Sequence, residues 1–234
     1  MKDRCVHGRL WIGAAVLLAI AMSGLAQAEQ TAAEVTEASG EVYAQRGAEA
    51  RRALEPGAAV YAGDRVTTAA DSSVELRFSD NARFALGSSS EMNVGQYVYK
   101  PGDDTSIMQT DILKGVFRFV SGLIARHKPQ AVKLNTPVAT IGIRGTHVIG
   151  EVTPTSASIA LMEPEEAGSP TAIEVSNQYG SVVIDKPRYE TVIPDAHSPP
   201  SPPRLVQTQR IDTLLRQIQT TRRLIVPRTA PRLP

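Results

Sequence analysis

Hydrophobic and polar positions alternate most regularly between Gly63 and Val94. Val74, Leu76 and Phe78 are separated by charged residues, and the same period of two returns at Phe84 and Leu86 and at Met92 and Val94. A strand with one buried and one solvated face requires this period, because successive side chains point to opposite faces. Turn-forming residues at 79–81 and 87–90 separate the runs. The stretch therefore predicts short β-strands joined by tight turns.

Similar short runs recur at close, even spacing from residue 38 to residue 193, with Gly, Pro, Asn and Ser between them. They amount to roughly a dozen predicted strands, a pattern typical of all-β folds. The acidic segment 163–171 is predicted to be an exposed loop. The expected fold class is all-β, with many short strands forming a β-roll, a solenoid or a sandwich-like domain over residues 38–193.

The pattern changes after residue 193. Residues 194–203 contain five prolines, which predicts an extended, semi-rigid linker. Apolar residues then follow the helical spacing i, i+3, i+4 and i+7, at Ile211, Leu214, Leu215 and Ile218. Arginines are interspersed, so 205–224 is predicted to be a basic amphipathic helix within the tail 204–234. The helix could dock on a partner, on the β-domain of its own or another copy, or on an anionic membrane surface; it could also be a tail without a role.

Residues 1–28 have the three parts of an export signal: a positive start, an apolar run from Leu10 to Leu25, and small residues before a predicted cut after Ala28. The alternative is an uncleaved anchor helix, but the run is shorter than the ~20 residues that span a bilayer. The signal predicts a periplasmic protein, in which the sole cysteine, Cys5, is lost with the signal. Residues 29–37 are polar and are expected to be frayed or helical.

Charge divides the chain into two parts. Residues 29–203 carry 15 basic and 22 acidic side chains, a net charge of −7, whereas residues 204–234 carry seven arginines and one acid, a net charge of +6. Such an asymmetry indicates an interaction tail. Nucleic acid is not an expected partner, because an exported protein rarely meets it.

The sequence contains no recognisable catalytic or cofactor-binding constellation. The histidines at 127, 147 and 197 share no metal-ligand spacing, and Asp103-Asp104 lacks the rest of a calcium loop. No serine lies in a nucleophile elbow, and phosphate-binding glycine loops are absent. We therefore expect no metal, no cofactor and no enzymatic activity.

Arg144 is the one side chain singled out as a possible ligand or partner contact. It lies between Gly142-Ile143 and Gly145-Thr146, where a guanidinium could bind a carboxylate or phosphate with two hydrogen bonds. The competing interpretation is a local ion pair or a bond to exposed carbonyl groups.

Four motifs resemble the FecR-like domain. They are Leu54…Gly57…Gly63-Asp64…Thr67 leading to Asp71-Ser72, Val74-x-Leu76-x-Phe78-x-Asp80-Asn81 with Leu86 and Met92, Leu113-Lys114-Gly115-Val116-Phe117, and Thr136-Pro137-Val138-Ala139-Thr140-Ile141-Gly142-Ile143-Arg144-Gly145-Thr146. The last is the most specific, and together they cover about residues 38–193. The chain departs from the family at His147, at Pro164 and in the insertion 163–171.

The resemblance implies a structural role for the shared residues, since glycines suit turns or close backbone approach and threonines can bond to backbone at strand ends. The structural motif set is Gly63, Asp64, Thr67, Asp80, Gly115, Thr136, Pro137, Gly145 and Thr146. The family is usually met as the periplasmic part of iron-uptake signalling regulators, or as stand-alone exported proteins. The nine residues before the apolar run leave no room for a cytoplasmic sigma-factor-binding domain, so a stand-alone exported member is expected.

Three functions follow as hypotheses. The first is a non-enzymatic periplasmic module that binds a protein partner in the cell envelope or relays a signal, with exposed strand edges available for strand addition. The second is a module that binds peptidoglycan or another glycan. The third, an envelope enzyme, would need a concave site with convergent acidic groups.

Overall fold

The computed structural model describes residues 31–165 and 171–218, and it confirms an all-β fold. The first strands are β1 (Thr31–Ser39), β2 (Val42–Arg46), β3 (Arg52–Ala53), β4 (Ala59–Tyr61), β5 (Asp64–Thr68), β6 (Ser73–Phe78), β7 (Arg83–Leu86) and β8 (Glu91–Val98). Strand β9 (Ile107–Val120) leads to helix α1 (Leu123–His127) and a 3₁₀ turn (Pro129–Ala131). The remaining elements are β10 (Val132–Asn135), β11 (Thr140–Arg144), β12 (His147–Val152), β13 (Ala157–Met162), β14 (Ala172–Asn177), β15 (Gly180–Ile184), β16 (Tyr189–Ile193), β17 (Arg204–Leu205) and helix α2 (Thr208–Ile218).

These strands form two sheets of nine that share strand β9. Sheet A has the order β4-β1-β6-β7-β9-β12-β13-β16-β17. Sheet B has the order β3-β2-β5-β8-β9-β10-β11-β14-β15. Every neighbouring pair is antiparallel except β9 and β10, which are parallel. Strand β9 is thus the middle strand of both sheets.

Strand β9 changes sheets at Gly115. Residues 107–114 pair with β8 in sheet B, and residues 115–120 pair with β12 in sheet A. Gly115 has φ of 103°, a region that side chains with a Cβ rarely adopt. A Cβ at this position would also lie 2.5 Å from the Cα of Ser90. The bend therefore needs glycine both for its backbone conformation and for its close contact.

The main core lies between the two sheets. The seven alternating apolar residues of the 63–94 stretch are all buried in it, as their period of two predicts. From β7 and β9, Phe84, Phe117 and Phe119 pack together, with ring centroids 5.8 Å apart for Phe84 and Phe117 and 5.6 Å apart for Phe84 and Phe119. Offset and tilted ring pairs at such distances add to the stabilisation from burial.

Sheet A also buries part of its other face, beneath helix α2. Ala85, Val116, Ile149 and Ala160 point away from the main core and form a second apolar cluster with Ile211, Leu214 and Ile218 of the helix, while Leu215 is partly buried against it. Gly87 lies directly under the end of the helix, because a Cβ there would be 2.7 Å from the carbonyl oxygen of Gln217. The central strands of sheet A are therefore apolar on both faces.

Charge reinforces the docking of the tail. Glu190, which is buried in β16, accepts hydrogen bonds from Arg204 and Ser158 and forms an ion pair with Arg210 at 3.5 Å. Arg210 also pairs with Glu151 at 3.3 Å. Of the alternatives for the basic helix, the structure places it on the acidic β-domain of its own chain. The predicted residues 219–224 lie outside the described part.

Two segments differ from expectation. Residues 31–37, expected to be frayed or helical, belong to β1, which pairs with β4 and β6 and buries Ala32, Ala33 and Val35. Two register shifts in β1 break its alternation, which explains why periodicity did not indicate a strand. Residues 194–203, expected to be a linker, lie along β16, where Ser201 exchanges hydrogen bonds with Val192 and accepts one from Thr191.

No helix in residues 31–165 and 171–218 is long and apolar enough to cross a membrane. The predicted export signal, residues 1–28, lies outside these ranges and stays a prediction.

Gly115→Ala should destabilise the protein by about 3 kcal/mol, because it combines an unfavourable positive φ with a clash against Ser90. Urea unfolding of the two proteins would measure the difference. Gly142→Ala is the matched control: a Cβ at Gly142 would meet its nearest atom at 3.8 Å. Equal losses for the two variants would contradict the role assigned to Gly115.

Leu214→Asp should release helix α2, because it places a charge in the apolar cluster under the helix. Amide hydrogen exchange of residues 208–218 should accelerate on the order of tenfold or more, since undocked helices of this length are marginal in water. Thr213→Asp adds the same charge at an adjacent exposed position and should leave exchange nearly unchanged. Equal acceleration in both variants would argue against docking through Leu214.

Candidate functional site

An open cleft of about 550 Å³ lies at one end of the sandwich. Four segments line it: the β6–β7 turn, the β9–α1 junction, the β11–β12 turn and the residues after β13. They bring together Asp80, Asn81, Arg83, Ser121, Gly122, Arg126, Pro129, Arg144, Gly145, Thr146, His147, Pro164 and Glu165, among others. We call this feature the end cleft.

Asp80 fixes one wall of the end cleft. Its side chain is fully buried, and its Oδ2 accepts a hydrogen bond from the backbone N–H of Ile124 at 3.2 Å. Its Oδ1 accepts from the N–H of Ala82 at 3.2 Å and from the Tyr97 hydroxyl at 3.3 Å. Its carbonyl oxygen accepts from the N–H of Leu123 at 2.8 Å. Asp80 therefore caps α1 from another segment of the chain. The N-cap residue of the helix itself makes no side-chain capping hydrogen bond.

Burial raises the pKa of the Asp80 carboxyl above its usual value, and the hydrogen bonds from Ile124, Ala82 and Tyr97 offset part of this rise. Burial, together with the adjacent Asp80 charge, also raises the pKa of the Tyr97 hydroxyl. Both side chains are engaged within the structure, so their perturbed pKa values reflect a buried network and not a group presented to a ligand.

Thr146 fixes the opposite wall. Its N–H donates to the Ser121 hydroxyl at 2.8 Å, and its carbonyl oxygen accepts from the Ser121 N–H at 3.0 Å. Its hydroxyl accepts a hydrogen bond from Thr171 at 2.7 Å. Gly145, with φ of 62°, makes the turn that brings Thr146 to Ser121. The Arg144–Thr146 motif thus joins the β11–β12 turn to the end of β9.

Three arginines line the end cleft: Arg83, Arg126 and Arg144. Arg83 forms an ion pair with Glu165 at the rim. The side chain of Arg144 is 64% exposed, and its guanidinium nitrogen lies 3.8 Å from a carboxylate oxygen of Glu174. That distance is at the limit of an ion pair, so Arg144 is free to take another partner. Arg144, predicted as a contact residue, therefore lies in a cleft.

His147 lies beside these arginines, at a position where the sequence departs from the FecR-like pattern. Its Nδ1 is 3.3 Å from the carbonyl oxygen of Glu163, and its Nε2 is buried without a hydrogen-bond partner among the described residues. Burial, followed by the nearby Arg118 charge, lowers the pKa of the imidazole. Within the described ranges no group of three His, Cys, Asp or Glu side chains could hold a metal ion.

The other motif residues lie away from the end cleft. Asp64 is fully buried, pairs with Arg52 and accepts from the N–H of Tyr61 at 2.8 Å, directly after Gly63. Thr67 is half-buried within β5. Thr136 accepts from the N–H of Ala139 at 3.0 Å in a turn that contains the exposed Pro137. These motif residues, with Gly115, hold turns and bends in separate parts of the domain.

A second groove of about 490 Å³ runs from the end cleft over β10, β11 and β14. The two features share Pro129 and Arg144, and the groove is otherwise lined by Gln130, Val132, Lys133, Thr140, Gly142, Ile143, Glu174 and Ser176. Sequence analysis did not single out Arg83, Arg126 or Lys133. Arg83 is far from the other two in the chain, and no motif connects the three.

Strand β15 is an edge of sheet B. Among the described residues it pairs with β14 alone, through five positions in register. Its sequence, GSVVI, has no charged side chain, and Val183 is 53% exposed. The edges formed by β3, β4 and β17 are only two or three residues long. Proteins usually protect long edges with charge, proline or bulges, and β15 has none of these.

Comparison with known proteins identifies the domain. The sequence model of the FecR protein family matches residues 64–164. The predicted resemblance to the FecR-like domain is confirmed over these residues, and the bounds 38–193 stay a prediction. The match includes Asp80, Gly115 and the Arg144–Thr146 motif, and therefore most of the end cleft. No curated protein matches the chain.

Among solved structures, the fold resembles that of a candidate anti-sigma factor from Parabacteroides distasonis ATCC 8503, determined in two crystal structures at 1.65 and 2.50 Å resolution. Each superposes with a TM-score of 0.50 and 11% sequence identity over 65% of this chain. The present chain spans 64% of the length of that protein. At this identity the likeness concerns the fold alone.

Asp80→Asn should remove a pH dependence of stability. Because the folded-state pKa of Asp80 is raised, its protonation stabilises the fold fully below the unfolded pKa of about 3.9, and this contribution is lost as the pH rises through the folded value. Urea unfolding of both proteins from about pH 4 to about pH 8 should therefore show that the free energy of unfolding of the wild type, relative to that of Asp80→Asn, falls as the pH rises. A difference that stays constant over this range would contradict the assignment.

Proposed function

We propose that this protein is an exported, non-enzymatic module that relays a signal in the cell envelope by binding another protein. The FecR-family match supports a role in signalling, and the fold likeness to a candidate anti-sigma factor is consistent with it. The predicted export signal supports a periplasmic location. The observation that carries the binding role is the unprotected edge strand β15.

Strand addition suits this edge. An extended segment of a partner would form main-chain hydrogen bonds with the outward N–H and C=O groups of β15, and alternate side chains would give specificity. Val183 supplies an exposed apolar contact, and Tyr179 just before the strand is 44% exposed. Tyr179 also lies against the His197 ring, with centroids 6.1 Å apart, and Gly180 lies close to Pro199, so the start of the strand contacts the 197–199 segment.

The chemistry of the end cleft supports a binding role over catalysis. Both oxygens of Asp80 accept hydrogen bonds from the protein, so this carboxyl is not positioned as a general acid or base. The remaining titratable groups of the cleft are three arginines, Glu165 and His147. None of their described contacts joins a nucleophile to a base.

Val183→Lys should weaken partner binding, because a lysine on an edge strand disfavours the approach of another strand. The measurement is crosslinking of the full chain in the periplasm, followed by identification and quantification of the crosslinked protein. We expect Val183→Lys to reduce the specific product about tenfold, a loss comparable to that of one strong interface residue.

Val183→Thr is the matched control, because threonine is β-branched and leaves the edge uncharged. It should retain most of the crosslinked product. Failure to recover any specific protein would count against the proposed function. Recovery of one protein in equal amounts from wild type and Val183→Lys would show that the partner does not bind at β15.

A further inference from the structure

We propose that the end cleft and the adjoining groove bind an acidic, extended peptide segment of a protein partner, with Arg144 as the central contact. This inference rests on the proposed function in one respect: it takes the partner to be a protein. It names a different surface from β15 and a definite chemistry for the ligand.

The local charge of the end cleft opposes that of the domain. Residues 29–203 have a net charge of −7, yet the cleft brings together Arg83, Arg126 and Arg144, and the groove adds Lys133. Of the carboxylates that line the two features, Asp80 is buried and saturated with hydrogen bonds, which leaves Glu165 and Glu174 against four cations. A concave surface with an excess of one charge concentrates ligands of the opposite sign.

The cleft already holds one carboxylate of the kind proposed. Glu165 reaches the Arg83 guanidinium from the rim, and its side chain remains 48% exposed. This pair shows that a carboxylate fits against Arg83. Because exposed ion pairs contribute little to stability, a partner's carboxylate can replace that of Glu165 at small cost.

Arg144 has the freedom that a ligand contact needs. Its side chain is more exposed than that of Arg83, and its distance of 3.8 Å from Glu174 leaves the guanidinium able to reorient. The backbone beneath it is nevertheless held, since Thr146 is bonded to Ser121 on both its N–H and its carbonyl oxygen. An exposed guanidinium on a fixed turn allows bidentate binding of a carboxylate without movement of the chain.

The shape favours a chain over a single small anion. The end cleft and the groove have volumes of about 550 and 490 Å³ and meet at Pro129 and Arg144. Arg83 lies in the first, Lys133 lies in the second, and Arg144 lines both. The cations are thus distributed along a continuous path, which suits carboxylates placed along an extended peptide.

The test uses the full chain and a fluorescein-labelled decapeptide of alternating Glu and Ser with an amidated carboxyl end. Fluorescence anisotropy at low and at physiological salt measures its affinity, and the same peptide with Gln in place of Glu is the ligand control. We expect the Glu peptide to bind and the Gln peptide not to bind. Affinity should fall as salt rises, because the contacts are partly exposed charges.

Arg144→Gln should weaken binding about fivefold to tenfold, the loss expected for one charge-assisted bidentate contact. Arg65→Gln is the matched control, since Arg65 is 54% exposed, is ion-paired with Glu91 and lies outside both the cleft and the groove. The affinity of this variant should stay within about twofold of the wild type, because β8 and β9 separate its strand, β5, from the groove on β10. Glu165→Gln should tighten binding by about twofold or more, because it removes the competing carboxylate from Arg83.

Several results would overturn the inference. Equal binding of the Glu and Gln peptides, or equal losses in Arg65→Gln and Arg144→Gln, would show that the cleft has no specific role. Displacement of the peptide by inorganic phosphate at equal concentration would indicate a small-anion site. Co-sedimentation with purified peptidoglycan that is lost in Arg144→Gln would assign the cleft to a glycan. Val183→Lys should bind the peptide normally, so failure here is distinguishable from failure at β15.

Discussion

Most of the structure depends on one strand, β9, that pairs with neighbours in both sheets. Strand β9 is the fifth of nine strands in sheet A and again in sheet B. In both sheets the strands that precede β9 in sequence lie on one side of it, and the strands that follow lie on the other. The change of sheet at Gly115 therefore determines how the two halves of the chain face each other across the core. A residue with a Cβ would conflict there with both the backbone conformation and Ser90.

The end cleft is a consequence of this arrangement. Strand β9 ends at Val120, at the boundary between the two halves, and Ser121 and Gly122 follow it directly into the cleft. The first half supplies Asp80 and Arg83, and the second half supplies Arg144. Buried hydrogen bonds of Asp80 and Thr146 hold both halves to the end of β9. The motif residues near the cleft thus position its walls, and the charged side chains that line it are the groups available to a ligand.

Electrostatics act at two scales in this protein. The acidic β-domain attracts the arginines of the tail, and the buried Glu190 receives two of them, so the first part of the basic tail is used within the chain. The end cleft differs locally, because three arginines line it in a domain (residues 29–203) whose net charge is −7. A protein of this kind can hold its own cationic helix on one face and still offer a cationic site to a partner on another.

The sequence alone determined the fold class, the positions of most core residues and the helix of the tail. Alternation identified Val74, Leu76, Phe78 and their later counterparts because burial on one face of a strand leaves a period of two. The helical spacing likewise predicted the apolar side of α2. It did not select the surface that this side packs against, and the β-domain of the same chain was one of several alternatives. Local rules failed at β1, where register shifts break the period, and at residues 194–203, where proline content concealed a segment bonded to β16.

Only the tertiary structure decided the pairing of β9 with both sheets, the edge at β15 and the composition of the end cleft. These depend on contacts between residues far apart in the chain, such as Asp80 with Ile124 and Ser121 with Thr146. Spacing along the sequence carries no information about such contacts. The sequence could single out Arg144, because its motif is local, but the arginines that share its cleft become neighbours only when the two halves fold against β9.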